Sequence, residues 1–266
     1  MRNFSYLRPT ILSDAISVLK ADPGARPLAG GQSLIPAMKL RLSAPETLVD
    51  LQAIGVMRGL SVRGSTIAIG AMSTHAEVAE SDAIQRICPA VAALAADIGD
   101  PMVRSLGTIG GSIANNDPAA DYAALLLALD AVVITSGRSV PASEFLRGLY
   151  ETALEPGELV VAVELQIPQR AAYVKFPQAA SHFAIVGVFV AMYSSGVRVA
   201  VTGASQTAFR LPPYEEGLKR HFAPDSIPGG PIARDDLNSD MHASAEYRAE
   251  IIPHIARRAV AIAAGR

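Results

Sequence analysis

The chain has 266 residues, Lys+Arg 23 against Asp+Glu 25, and a net charge of −2 at pH 7. No basic excess is available to neutralise a phosphate backbone, which excludes nucleic acid as a partner. Half of the residues are hydrophobic, enough for a sizeable core in one large domain or two. The single cysteine, Cys88, excludes an internal disulfide and an iron–sulfur cluster held by this chain alone, and it reads as a core residue. The longest apolar run, AIVGVFVAMY (184–193), has about half the length of a membrane helix and reads as a buried strand. The N-terminal MRNFSYLRPT has no apolar segment of the secretory kind, so the expected location is cytoplasmic, with no membrane span.

In chain order, SDAISVLKA (13–21) predicts a helix with Ser13 as N-cap and Ile16 and Leu19 on one face. A short apolar strand follows. AGGQSLIPAMKLRL (29–42) then reads as a glycine turn opening into a helix, and TLVDL (47–51) as a strand, together a small α/β unit. LSVRGSTIAIGAM (60–72) is a hairpin turning at Arg63-Gly64-Ser65. Thr74-His75-Ala76-Glu77 is a capping box, in which His75 reads as a surface residue. AIQRICPAVAALAADIG (83–99) is helical with a break near Pro89. A second glycine turn, Gly107 to Ser112, precedes Asp117-Pro118 and an Ala/Leu-rich helix, with Asp117 read as a helix cap.

AVVITSG (131–137) and ELVVAVELQIP (158–168) are strands, so residues 50–168 mix helices and hairpins and do not form a doubly wound parallel sheet. From about Ala171 the runs predict a separate antiparallel sheet with a hairpin at Ser195-Gly196. A helix over YEEGLKRHF (214–222) and a loop over 223–236 come next. A long amphipathic helix capped by Ser244 and kinked near Pro253 ends the chain.

The two glycine turns carry the chemistry. A diphosphate needs several donors close to its oxygens, and backbone N–H groups supply them where no Cβ blocks the approach. A helix N-terminus adds favourable potential. Gly30-Gly31-Gln32-Ser33 and Gly107 to Ser112 both meet this description, with Gly110 as a point of close approach. Neither is the G-x-G-x-x-G fingerprint or a Walker A loop, and neither is a G-x-S-x-G elbow. The five histidines lack metal-ligand spacing.

LAGGQSLIPAMKLRLSAPETLVDL (28–51), IAIGAMSTHAEV (67–78), PMVRSLGTIGGSIANNDPAADYAALLLALDA (101–131) and the SAEYR helix together resemble the FAD-binding medium subunit of molybdenum hydroxylases. That family includes the aerobic carbon monoxide dehydrogenases and bacterial xanthine dehydrogenase-type enzymes. The resemblance implies an α+β fold. Residues 1–170 would be a two-subdomain FAD-binding region of the vanillyl-alcohol-oxidase/PCMH type, split at about residue 55. Residues 171–266 would form an antiparallel-sheet-plus-helix domain of the carbon monoxide dehydrogenase flavoprotein type.

Residue by residue, the resemblance assigns Leu28, Ala29, Gly30, Gly31, Gln32, Ser33 and Leu34 to one loop around FAD. Thr108, Ile109, Gly110, Gly111 and Ser112 form the other. Asp121 would accept hydrogen bonds from the flavin, Leu159 would line its pocket, Lys175 would make a polar contact, and Phe183 would flank the ring. By themselves Lys175 reads as a solvated strand-end cation and Phe183 as core. Around Phe183 the chain reads PQAASHFAIV and lacks a basic pair common in the family, which leaves access to the flavin face open.

No residue is assigned a catalytic or metal-binding role. The resemblance implies a large molybdenum-cofactor subunit and a small [2Fe-2S] subunit as partners, in a dimer of heterotrimers, with quinone, NAD or oxygen as acceptor. The alternatives are a stand-alone FAD-dependent oxidoreductase of the same fold and a structural subunit with a vestigial flavin site.

Overall fold

A computed structural model describes residues 1–265. The first 50 residues build a three-stranded parallel sheet in the order β1-β3-β2, from β1 (Ser5–Leu7), β2 (Ala25–Leu28) and β3 (Thr47–Asp50). Two helices connect the strands, α1 (Leu12–Ala21) and α2 (Leu34–Lys39). Ser13 is not the cap of α1: the helix starts two residues earlier than such a cap requires, at Leu12 behind Ile11, and no side chain caps it.

A five-stranded antiparallel sheet follows, ordered β4-β5-β10-β6-β7. Its first hairpin is β4 (Leu60–Arg63) and β5 (Thr66–Gly70), turning at Gly64, whose φ of +57° suits a residue without Cβ. Six helices come next: α3 (His75–Glu80), α4 (Asp82–Ile87), α5 (Pro89–Ala96), α6 (Pro101–Leu106), α7 (Ile109–Asn115) and α8 (Asp121–Ala128). The Thr74–Glu77 capping box is formed, and the helical run breaks at Cys88, before Pro89 takes the N1 position of α5. The sheet is completed by β6 (Val132–Thr135), β7 (Ser139–Pro141) and, after α9 (Ala142–Phe145) and the small pair β8 (Leu146–Gly148) and β9 (Glu151–Thr152), by β10 (Val160–Gln166). Cys88 is buried in the core under this sheet.

The last sheet is antiparallel in chain order: β11 (Arg170–Pro177), β12 (Ala184–Tyr193), β13 (Gly196–Thr202) and β14 (Phe209–Arg210). Its two faces serve two cores. Phe189, Ala191 and Ala200 join the large core that contains α8, whereas Val186, Val188, Val190, Val199 and Val201 pack with α10 (Pro212–Arg220) and α11 (Ala245–Ala263). The period of two in a strand makes this division. Ser244 caps α11 as expected, and the helix continues through the buried Pro253. Proline removes the bond to the carbonyl four residues back. That carbonyl, on Ala249, instead accepts the N–H of Ile232 at 3.4 Å.

Candidate functional site

The two glycine segments meet. Gly30 lies in the loop between β2 and α2, and a Cβ there would collide with the Leu106 carbonyl oxygen and lie 2.7 Å from Gly107 Cα. A Cβ on Gly111 would sit 3.4 Å from that of Ala29. Gly31 adopts φ +73°, which turns the chain into α2. A third segment, Ala71–His75, closes the cradle: His75 N donates to Gly107 O at 2.9 Å, and Thr74 bridges Thr108. In turn Ala71 N donates to Val161 O at 2.8 Å, tying the cradle to β10 two residues beyond Leu159.

The two segments offer different groups. Among the described residues, the N–H groups of Gly30, Gly31, Gln32 and Ser33 have no protein acceptor; the first satisfied one belongs to Ile35, bonded to Gly31 O at 3.0 Å. The Ser33 hydroxyl makes no cap bond to α2. In the second segment the glycines do not form a turn, which corrects the sequence-based expectation. Gly110 and Gly111 lie inside the first turn of α7, and Thr108 is its N-cap, accepting from Gly111 N at 3.1 Å.

Ile109 N donates to Ser73 O at 3.1 Å, Gly110 N to Ala71 O at 2.8 Å, and Ser112 N to Thr108 O at 3.0 Å. All four amides at the start of α7 are therefore satisfied inside the protein. Gly110 lacks a side chain because Ala71 occupies the space: a Cβ would come within 2.7 Å of Ala71 O and 2.8 Å of Ala71 Cα. What α7 does offer is the half-buried Ser112 hydroxyl, which has no side-chain hydrogen bond among the described residues.

A second cluster surrounds Asp121, the buried first residue of α8. Tyr173 on β11 donates its hydroxyl to Asp121 Oδ1 at 2.5 Å, and Lys175 Nζ stands 3.1 Å from the same oxygen. Lys175 also donates to Asp97 O at 2.7 Å, at the C-cap of α5, where the helix dipole favours a cation. Its side chain is 1 % exposed, so it is a buried mid-strand ion and not a solvated strand end. Asp121 Oδ2 has no protein partner among the described residues. Burial pushes the Asp121 carboxyl up to about 6, against the opposing pull of Lys175 and Tyr173.

Asp117 does not cap α8, whose N-cap is Ala120; it holds the preceding turn, accepting from Ala119 N at 2.9 Å. The carbonyls of Pro118, Ala119 and Ala120 each accept a bond from the C-terminal sheet, through Gly203 N, Ala184 N and the Thr202 hydroxyl. The sheet thus sets where α8 begins.

Phe183 precedes β12 and is 46 % exposed, so it is not core. It stands next to Ala184, whose N–H reaches Ala119 O at 3.3 Å. Leu159 is buried beside Ser136, whose Oγ accepts its N–H at 3.1 Å.

His75 is also buried, not at the surface: its ring centroid is 5.5 Å from that of Tyr122, and its Nδ1 is 3.4 Å from the tyrosine hydroxyl. Burial lowers its pKa to about 4, with Arg104 adding to the effect. Sequence reasoning missed Tyr173 and the packing of Ala71–His75. For Tyr173 the one available signal was its spacing of two from Lys175, which puts both on one face of a strand.

A glycine-walled cradle with unpaired amides, and a buried carboxylate with one free oxygen, fit a phosphate-bearing cofactor with hydrogen-bond donors at its other end. Residues 2–169 match the family described as the FAD binding domain in molybdopterin dehydrogenase, and the chain belongs to it. It is an oxidoreductase flavoprotein of the medium-subunit kind found in carbon monoxide dehydrogenase- and xanthine dehydrogenase-like molybdenum hydroxylases, with FAD as its cofactor.

The carbon monoxide dehydrogenase medium chain of Afipia carboxidovorans is 35% identical, over 99% of this chain and 98% of the relative. A solved carbon monoxide dehydrogenase from Hydrogenophaga pseudoflava superposes with a TM-score of 0.90 at 34% identity, over 99% of this chain and 98% of that one. Quinoline 2-oxidoreductase from Pseudomonas putida 86 gives a TM-score of 0.90 at 30% identity, over 99% and 98%. The α+β architecture read from the sequence is that of these proteins.

Proposed function

We propose that this chain is the electron-transfer subunit of a heteromeric molybdenum hydroxylase, in which FAD passes reducing equivalents to an external acceptor. The observation that carries the reading is the row of unpaired amides from Gly30 to Ser33, set against the Leu106–Ser112 wall. Those amides hold the diphosphate, and the Ser33 and Ser112 hydroxyls supply further donors at its flanks. Gly30, Gly31 and Gly111 give the closeness, Thr108 and Ile109 fix the start of α7, and Gly110 holds that helix against Ala71. Leu28, Ala29, Leu34 and Leu159 wall the cofactor, and Gln32 is exposed at the rim. Asp121 accepts a donor of the flavin through Oδ2, Lys175 keeps that carboxylate ionised, and the exposed Phe183 flanks the ring.

Bound FAD supplies the chemistry of taking electrons singly and releasing them in pairs. The chain's own part is binding, orientation and electrostatics. Residues 1–170 act as the FAD-binding unit, with subdomains 1–55 and 56–170, and residues 171–266 form the C-terminal domain that pins the Asp117–Ala120 segment. A large molybdenum-cofactor subunit oxidises the substrate and a small [2Fe-2S] subunit delivers the electrons, in a cytoplasmic dimer of heterotrimers. Quinone, NAD or oxygen is the acceptor. The names of the relatives carry carbon monoxide and quinoline at one medium-chain fold, which supports a specificity that resides on the large subunit.

Visible absorption tests the reading. Supplied with FAD, alone or assembled with its partner chains, the chain should show protein-bound flavin bands, and their absence in both states would refute both this function and a stand-alone flavoenzyme. Co-purification should then recover two partner chains. Full turnover of a substrate by the lone chain would refute the heteromeric assignment.

A further inference from the structure

Asp121 carries a negative charge almost out of contact with water, and the chain surrounds it with few groups. From β11 come Tyr173 and Lys175; beyond α5 stands Asp97; on α8 itself Tyr122 follows. Both contacts to the carboxylate fall on Oδ1, from Tyr173 at 2.5 Å and Lys175 at 3.1 Å. Two bonds to one oxygen fix the plane of the carboxylate and leave Oδ2 as its only free acceptor.

The neighbouring strand makes space for the tyrosine hydroxyl. Gly187 on β12 is bare where a Cβ would collide with Tyr173 Oη and come 2.9 Å from Thr202 Cγ2. Its φ is not in the left-handed region, so steric room, and not backbone freedom, accounts for a glycine in mid-strand.

We propose that Tyr173, seated in the notch at Gly187, is a positioning residue for FAD: it orients Asp121 so that Oδ2 faces the flavin, and holds the carboxylate in its charged form. This rests on the flavin reading above. A hydroxyl donated to a buried carboxylate stabilises the ionised state, in the same direction as Lys175, and both oppose the desolvation that favours protonation. Without Tyr173 the carboxyl would bind a proton at higher pH, and its plane would be held by Lys175 alone.

The test uses the full chain and Tyr173→Phe, which removes one oxygen and retains the ring packing on Phe189. In the FAD-free chain, carbon-13 NMR should show the Asp121 carboxyl titrating about one pH unit higher in the variant. FAD affinity, followed by flavin fluorescence from pH 5 to 9, should weaken about tenfold at pH 7, the effect of losing a hydrogen bond to a charged group. The pH at which FAD is lost should rise with the carboxyl midpoint. Asp121→Asn should bind FAD weakly with no such transition.

An unchanged carboxyl midpoint would overturn the proposal whether or not FAD binds. A raised midpoint with unaltered FAD affinity, or an equal loss at every pH, would overturn the link to the flavin. Failure of the wild-type chain to bind FAD at any pH, both alone and assembled with its partner chains, would refute the flavin reading and with it this role for Tyr173, whereas FAD bound by wild type separates the two questions. Gly187→Ala, which displaces the hydroxyl without deleting it, should move the carboxyl midpoint in the same direction.

Discussion

The two glycine motifs of this chain look alike in sequence and are used differently in the fold. At Gly30 the missing side chain allows a loop to press against Leu106 and Gly107 while its amides stay unpaired. At Gly110-Gly111 the glycines sit inside a helix whose first amides are all satisfied, and Gly110 exists for contact with Ala71. One motif presents unpaired amides; the other is mainly a joint that holds them in place. A glycine pair before a helix therefore tells where backbones come close, and only the hydrogen-bond inventory tells whether the close neighbour is a ligand or the protein.

The comparison breaks most visibly at Gly110. Gly110→Val should destabilise the FAD-free chain by about 3 kcal/mol or more, since an overpacked backbone contact has little room to relax. Urea denaturation without FAD measures this. A variant that folds normally and loses only FAD would restore Gly110 to the ligand surface. Gly30→Ala, which pushes the two segments apart at the Leu106 carbonyl, should be similarly severe.

His75, packed behind the second segment, adds a pH-dependent term. The unfolded residue takes up a proton near 6.5 and the folded one near 4, so its contribution is complete above pH 6.5 and is lost as the pH falls through this window. The two and a half units between them correspond to about 3 kcal/mol. Asp121 acts in the opposite sense: its carboxyl is raised from 3.8 to about 6, so acidification across that range favours the fold. The two partly cancel in wild type. Their separation comes from His75→Asn, whose destabilisation relative to wild type should shrink by about 3 kcal/mol between pH 7 and pH 4. A constant difference would show that the buried ring takes up its proton as readily as a free one.

Two smaller changes divide the second segment itself. Thr108→Ala removes the cap of α7 and should lower stability by about 1 kcal/mol in thermal denaturation. Ser112→Ala removes a hydroxyl with no side-chain partner. It should leave stability within about 0.5 kcal/mol and weaken FAD a few-fold in fluorescence titration. If Ser112→Ala were instead the more destabilising of the two, the hydroxyl would belong to the joint.

Much of the local structure was legible in the sequence. The hairpin at Gly64, the Thr74–Glu77 box, the break at Pro89 and the Ser244 cap depend on chemistry within a few residues, and each formed where the pattern placed it. Ser13 failed as a cap because β1 enters α1 through Ile11, one of several starts that the local pattern allows. Asp117 failed as a helix cap because the C-terminal sheet draws the Pro118–Ala120 carbonyls to itself and delays α8 to Asp121.

The sequence by itself determined the kind of unit this is: periodicity set the alternation of helices and hairpins, and the glycine motifs with DPAAD carried the family resemblance. Tertiary structure alone decided which of their polar groups stay unpaired. Burial and partner choice arise between segments far apart in the chain: Tyr173 reaches Asp121 across 52 positions and Gly30 meets Leu106 between segments that are farther apart still. Local propensity carries no information about such distances, so the free oxygen of Asp121, the buried state of Lys175 and His75, and the satisfied amides of α7 became visible only once the strands and helices were packed.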